Sequence, residues 1–338
     1  MLGNKIKIFD KFINLPKFHK RGFSLQPLSI NQNENIKRLN ERIQNGNIIF
    51  ETALCLCKSY NFDLVSSIDR HGILQSIVVC QECGLIQCNP RMNEISYRNF
   101  YESDLYRDIY HNENLESYAE TKFEEKAVQA IFNNIVKHIS LENITNVLEI
   151  GAGGGWNLLP FANEGIEVLG LDYGPRMVEI GRKHGINMSQ GGLEKLDFLD
   201  KKFDVIILNH VLEHFLDPIK ELKKIINHLM PDGIIYLGVP NIENFGISAL
   251  QNAHVYYFNP TNFKYYVESS GLKIVDFGSA DEIHMYGLFK ISSTIISTKD
   301  LIRSKKENFK ILKRAFYMEY LIYWGKRIGL HNLYNIFK

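Results

Sequence analysis

Between Val147 and Val239 the chain alternates short apolar runs with amphipathic stretches. Val147–Ile150, Ile166–Leu171, Ile186–Ser189, Phe203–Leu208 and Ile234–Val239 each end at a glycine, a proline or a polar residue. Short, mostly apolar runs of this kind read as buried strands. Trp156–Ala162, Pro175–His184 and Pro218–Leu229 lie between them with helical character, the last ended by Pro231-Asp232-Gly233. Alternation of this sort predicts an α/β chain with parallel strands and right-handed crossovers. Within residues 254–293, a helix over Thr261–Ser269, started by Asn259-Pro260, and two closing strands complete a doubly wound, mostly parallel sheet of seven strands. Ligands in such sheets bind at the carboxyl ends of the strands. Gly151–Gly155, Asp172, Gly191–Leu193, Asn209–His210 and Pro240–Asn241 all fall on that edge.

The flanks follow different rules. Residues 1–48 are basic, then Asn-rich, without sustained periodicity, and read as an arm of low order with one helix near Asn35–Gln44. Residues 91–140 read as helical, with Tyr97, Tyr101, Tyr106, Tyr110 and Tyr118 set among acids. Those rings suit either the packing of a joint between domains or a place over a bound cation. Packing is the favoured reading. In residues 301–338, Phe309, Leu312, Phe316, Tyr320 and Tyr323 recur at helical spacing between lysines. Such a helix docks on its own domain or on a second subunit, or lies on an acidic membrane. We take docking as the expectation, with a homodimer and peripheral membrane contact through 301–338 as the partners it allows. The division expected is an arm (1–48), a cysteine module and linker helix (49–112), the sheet domain (113–300) and basic C-terminal helices (301–338).

The chemistry concentrates in Val147–Asp172. Glycines after the first strand let the backbone approach a ligand at a helix N-terminus. A dinucleotide fingerprint fails here: from Gly151 it needs glycine where Trp156 stands, and from Gly153 where Leu158 stands. The spacing that fits is E-x-G-x-G-x-G, Glu149, Gly151, Gly153 and Gly155. A carboxylate at Glu149 repels a pyrophosphate but suits a ligand carrying an ammonium and a sulfonium. S-adenosylmethionine is such a ligand. Asp172, 21 residues after Gly151 at the tip of the second strand, is placed to accept from a ribose diol.

The cysteines add a second site. Cys80-Gln-Glu-Cys83-Gly84 is half of a zinc knuckle, and Cys55-Leu-Cys57 supplies the other half if a strand points both thiolates one way. Four thiolates leave no open coordination position, so zinc here is expected to be structural. Cys88 stays outside the set. Composition adds little: a net charge of +1 and 23% charged residues carry no nucleic-acid signature. Charge is uneven, near +5 over residues 1–21 and +7 over 301–338, leaving an acidic middle. Met1–Arg21 has no apolar signal-peptide segment, and no run approaches the roughly 18 residues of a spanning helix, so a cytoplasmic protein is expected.

The run FDVIILNHVLEHFLDPIKELKKIINHLMPDGIIYLGVPN resembles class I S-adenosylmethionine-dependent methyltransferases, and with the glycine motif and Asp172 the resemblance covers about Asn146–Asn241. Upstream, the CxC…CQECGLIQCNPRM region with its aromatic helix resembles the zinc-binding region that precedes the methyltransferase domain in proteins of polysaccharide and deoxysugar biosynthesis. The resemblance implies a Rossmann-like sheet in which Gly151, Gly153 and Gly155 line the methionine part and Glu149 faces its amino group. It implies Asp172, with Tyr173 beside it, at the ribose, the Leu193 N–H at the adenine, and Asn209 beneath the cofactor. Where many relatives read G-D-A-E this chain has Gly191-Gly192-Leu193-Glu194, so Gly192 replaces an acid near the adenine amino group.

His210-Val-Leu-Glu213-His214 also spells an inverted zincin motif, which needs a long helix to bring both histidines to one face. At a strand end the pair divides instead: His214 packs, and His210 faces the acceptor as a candidate base. His254, ahead of Phe258-Asn-Pro, is the second candidate. The implied function is methyl transfer to a small-molecule or glycan acceptor, a sugar hydroxyl being favoured from the resemblance. Sugar C-methylation and a non-catalytic cofactor-binding scaffold are the alternatives.

Overall fold

The computed structural model describes residues 24, 27–110, 115–124, 126–244, 250–293 and 299–327. Most of the expected N-terminal arm, and residues 328–338 of the C-terminal segment, lie outside the described residues. In chain order the first elements are α1 (Ile30–Gln44), β1 (Phe50–Glu51), β2 (Phe62–Ile68), β3 (Leu74–Cys80), β4 (Ile86–Cys88) and β5 (Arg91–Met92). Four helices follow: α2 (Glu94–Glu102), α3 (Asp104–Tyr110), α4 (Leu115–Glu124) and α5 (Lys126–Val136). Next come β6 (Asn146–Ile150), α6 (Leu159–Asn163), β7 (Glu167–Asp172), α7 (Pro175–Lys183), β8 (Met188–Gln190), β9 (Phe203–Asn209), α8 (Pro218–Ile226) and β10 (Leu229–Pro240). The chain ends through β11 (Tyr256–Tyr257), α9 (Pro260–Glu268), β12 (Leu272–Ser279), β13 (His284–Ile291) and α10 (Lys299–Arg327).

These elements form two units, neither continuous in sequence. One joins Met1–Asn93, Asn241–Asn262 and Thr298–Lys338; the other joins Glu94–Pro240 and Phe263–Ser297. The contiguous segments expected from the sequence therefore differ from the structure at three places. Helices α2 and α3 group with the sheet, while residues 241–262 and the C-terminal helix group with the cysteines. Apolar partners far apart in sequence cause this, and local patterning does not show them.

The sheet unit carries seven strands in the order β12-β13-β10-β9-β6-β7-β8. Pairings from β10 through β8 are parallel; β13 runs antiparallel to β10, and β12 antiparallel to β13. This is the mostly parallel, seven-stranded Rossmann-like arrangement expected. The central strands were legible because they are covered on both faces: Phe203 through Leu208 are buried without interruption. Their core joins Val147, Val205, Ile207 and Ile234 to Phe161 and to Ile131, Phe132 and Ile135 of α5. The topological switch lies where β6 neighbours both β7 and β9. Pro231-Asp232-Gly233 does not separate helix from strand: α8 stops at Ile226, and β10 starts at Leu229 with a register shift before Ile234. A proline without an N–H is accommodated at such an irregularity.

The other unit is built on an antiparallel sheet β11-β4-β3-β2, beside a two-stranded pair of β1 and β5. Its edge strand β11 comes from residues some 170 positions after β4, pairing Tyr256 with Gln87 and Tyr257 with Ile86. Helix α1 is longer than expected and starts at a capping box, Ser29 Oγ accepting from Gln32 N while Gln32 Oε1 accepts from Ser29 N. The Asp69 carboxylate ties distant segments by accepting from His71 N, Ile73 N and Asn252 N. Leu312 and Ala315 of α10 enter the core of this unit with Val65, Ile77, Val79 and Ile86. The docking expectation therefore holds for this part of α10; the side chains of Phe316, Tyr320 and Tyr323 lie outside the described ones. No described helix is long and apolar enough to cross a membrane.

Candidate functional site

The loop after β6 is shaped by three glycines in left-handed backbone: Gly151 (φ 67°), Gly153 (φ 56°) and Gly155 (φ 80°). Residues with a side chain rarely adopt that conformation. Space forbids a side chain as well, since a Cβ at 151 would strike Val211 and one at 155 would strike Ile186 and Met188. The resulting turn directs the Gly153 N–H at Asp172 Oδ2, 2.8 Å away. The chain then enters a short 3₁₀ turn, Trp156–Leu158, before α6, so the helical start expected at Trp156 is tighter than an α-helix.

Glu149, on β6, is buried with 1% of its surface exposed. Its Oε1 accepts from Asn157 Nδ2 at 2.6 Å, and Oε2 is buried without a hydrogen-bond partner among the described residues. Burial pushes its pKa up to about 8, the Asn157 hydrogen bond opposing and nearby Asp172 adding to the rise. An orphaned carboxylate oxygen at this place fits an ammonium donor. Asp172, at the end of β7, has its carboxylate well engaged. Oδ1 accepts from Gly174 N at 2.7 Å and from Arg107 Nη2 at 2.9 Å, while Oδ2 accepts from Gly153 N.

Tyr173 and Gly192 explain the departure at G-G-L-E. The Tyr173 ring lies so close to Gly192 that a Cβ there would strike it, so an acid at that position has no room. Glu194 folds back instead: Oε1 accepts from Gly192 N at 2.8 Å and Oε2 from the Tyr173 hydroxyl at 2.8 Å. Burial raises the Glu194 pKa, but hydrogen bonds from the Gly192 and Glu194 backbone and from Tyr173, with the charge of Arg98, prevail and hold it below the usual value. Leu193 opens the following 3₁₀ turn. Asn209 ends β9, and its side chain takes the space over Gly238 on the adjacent strand.

His210 follows directly with φ 58°, a strained conformation for a residue with a side chain. Its ring is 40% exposed; Nδ1 lies 3.6 Å from Glu213 Oε1, and the His284 ring sits edge-on at 4.5 Å. His284 in turn meets Asp281 at 2.7 Å. The inverted zincin geometry is absent, because residues 212–214 form a single 3₁₀ turn and His210 belongs to the strand end. His214 packs as expected, hydrogen-bonded through Nδ1 to the Tyr101 hydroxyl at 2.6 Å. Tyr97, Tyr101, Tyr106 and Tyr110 form a continuous ring cluster in the sheet unit. His254 belongs to the other unit, where Gln251 Nε2 pairs with its Nε2 and its carbonyl accepts from Cys88.

Cys55, Cys57, Cys80 and Cys83 bring four Sγ atoms within 4.8 Å of one another, with Cys55–Cys83 at 3.4 Å and Cys57–Cys80 at 3.6 Å. Sulfurs around a zinc at about 2.3 Å stand roughly 3.8 Å apart, so the donor set and spacing fit a tetrahedral ion. The knuckle is formed on the Cys80 side, where Glu82 N and Leu85 N point at the Cys80 and Cys83 sulfurs. On the other side no strand presents the thiolates, contrary to the expectation from Cys55-Leu-Cys57. Cys55 and Cys57 lie in a turn closed by Lys58 N to Cys55 O, with Lys58 at φ 70°. A turn converges two thiolates as well as a strand does. Cys88 is buried outside the group.

Arg107, Asn157 and His284 join the site without having been singled out along the chain, and Glu194 and Glu213, named there only within their motifs, gain partners in it. Arg107 and His284 reach the sheet edge from elements remote in sequence and give no local signal. Asn157 was within reach, one helical turn past the glycines, where a buried carboxylate needs a donor.

Residues 109–276 match a family model described as "Methyltransferase domain". Over 104 residues the chain is 33% identical to the ubiquinone biosynthesis O-methyltransferase of Cereibacter sphaeroides, covering 28% of this chain and 41% of that protein. The demethylmenaquinone methyltransferase of Renibacterium salmoninarum is 28% identical over 102 residues, covering 30% and 43%. The chain thus spans about two fifths of the length of these curated relatives. Among solved structures, the 1,6-didemethyltoxoflavin-N1-methyltransferase of Burkholderia thailandensis superposes with a TM-score of 0.48 at 18% identity, over 65% of this chain and 96% of that one. Residues 109–276, just under half of the 338-residue chain, are thus similar to a methyltransferase domain.

Proposed function

We propose that the chain is an S-adenosylmethionine-dependent methyltransferase acting on a small-molecule acceptor. The observation that carries this is the buried, half-satisfied Glu149 carboxylate beside a turn of three left-handed glycines that ends on Asp172. In this reading Gly151, Gly153 and Gly155 let the backbone approach the amino-acid part of the cofactor, and Glu149 receives its ammonium. Asp172 and Tyr173 take the ribose side, Leu193 the adenine side, and Asn209 lies below. The cofactor, when bound, supplies an electrophilic methyl on a sulfonium. The chain's own part is to hold an acceptor atom in line with that methyl and to keep water out.

The acceptor atom is proposed to be a hydroxyl oxygen, with His210 as the base that removes its proton. Its exposed ring and the Glu213 carboxylate behind it support that role. His254 is the weaker candidate, because Gln251 already engages its Nε2. A sugar hydroxyl rests on the resemblance of the cysteine region alone; the relatives named for quinone biosynthesis make a phenolic hydroxyl the competing acceptor. Cys55, Cys57, Cys80 and Cys83 are proposed to hold one structural zinc ion.

Calorimetric titration with S-adenosylhomocysteine, beside Asp172→Ala, tests the reading. Binding in the micromolar range that the variant loses is the expected result. A folded wild type that gives no heat would return the chain to a scaffold role. Methyl transfer from labelled cofactor to panels of sugars and of phenols then separates the two acceptor classes, and loss of transfer in His210→Ala with binding kept would assign the base.

A further inference from the structure

Asp172 already accepts three hydrogen bonds, from Gly174 N and Arg107 at Oδ1 and from Gly153 N at Oδ2. A carboxylate offers about four acceptor positions, so only one stays open. A ribose diol brings two hydroxyl donors. Two of the three present donors are backbone N–H groups fixed by the left-handed turn at Gly153 and by the start of α7, and cannot withdraw. The third is a side chain. Arg107 and Asp172 are both largely covered, with side chains 17% and 11% exposed, and Arg107 lies against Gly174 so closely that a Cβ there would strike its guanidinium.

We propose that Arg107 is a residue of the cofactor site that competes with the ribose for Asp172, so that nucleoside binding exchanges one for the other. The proposal rests on the cofactor reading above and adds a determinant of affinity to it. Helix α3, which carries Arg107, and its neighbour α2 are held by contacts other than this ion pair. Tyr101 is bonded to His214 and packs against Tyr106 with ring centroids at 4.5 Å and planes tilted by 40°, so the guanidinium can leave while α2 and α3 stay in place. The apparent dissociation constant is then the intrinsic one divided by the fraction of molecules in which Asp172 is released.

Wild type, Arg107→Gln and Arg107→Ala, each checked for folding by thermal unfolding, should be titrated with adenosine and with S-adenosylhomocysteine. Both variants are expected to bind both ligands more tightly, by about three- to tenfold, and the gap to wild type should narrow as salt is raised. Unchanged affinities with a lowered melting temperature would make Arg107 a structural brace and overturn the proposal. Weaker S-adenosylhomocysteine binding with adenosine unaffected would overturn it too, by showing that Arg107 grips the amino-acid carboxylate. Failure of wild type and variants alike to bind either ligand removes the cofactor reading itself, whereas tight wild-type binding with no change in the variants removes only the competition.

Discussion

Glu149 shows how one buried atom sets the chemistry of its site. An acid whose pKa rises from 4.5 to about 8 on folding holds a proton that the unfolded chain has released. Its contribution to stability therefore falls as pH rises from about 4.5 to about 8 and is level beyond. An ammonium seated against the carboxylate reverses the preference and expels the proton. Binding of S-adenosylhomocysteine at pH 7, followed in buffers of different ionisation enthalpy, should thus release close to one proton from wild type and almost none from Glu149→Gln. Buffer-independent heats in the wild type would count against that contact. Gly155 is the companion case. With φ 80° and no room toward Ile186 and Met188, Gly155→Ala should cost about 1–3 kcal/mol or more and lower both the melting temperature and ligand binding.

At the scale of elements, α10 and the cysteine turn depend on each other. Gly84 has φ 77°, which the knuckle requires, and its missing side chain lets the Lys305 backbone approach. Asn308 Nδ2 then donates to Gly84 O at 2.8 Å. Gly165 has the same φ of 77° with open space around it. Comparing alanine at the two positions separates backbone strain from packing. Gly84→Ala should be clearly more destabilising and should lower zinc content, while Gly165→Ala reports the strain alone. Equal effects on the melting temperature would deny the seat for α10. Leu312, fully buried in the same core, should cost about 2–5 kcal/mol as alanine, read from denaturant unfolding.

Over the whole molecule, the chain passes between the two units at residues 93–94, 240–241, 262–263 and 297–298. The cysteine-bearing unit is therefore incomplete until its last segment exists, since Leu312 and Ala315 close a core begun at Val65. A chain ended after residue 297 should lose zinc stoichiometry and show an earlier unfolding transition. Full zinc content with unchanged unfolding would mean that α10 is dispensable to that core. Chelator treatment of the intact chain should likewise lower its melting temperature, because a thiolate-bound ion stabilises only the folded state.

What the sequence by itself determined is whatever repeats at short range. The central strands β6, β9 and the second half of β10 were legible because covering both faces demands nearly continuous apolar runs. The cofactor loop was legible because left-handed turns demand glycine at fixed spacing. Glu149, Asp172 and the four cysteines stand next to those turns. The tertiary structure alone decided which distant groups complete each site. It brought Arg107 to Asp172 and His284 to His210. It also drew residues 241–262 and α10 to the cysteines. These pairings depend on packing between segments tens to hundreds of residues apart, and no periodicity along the chain records them.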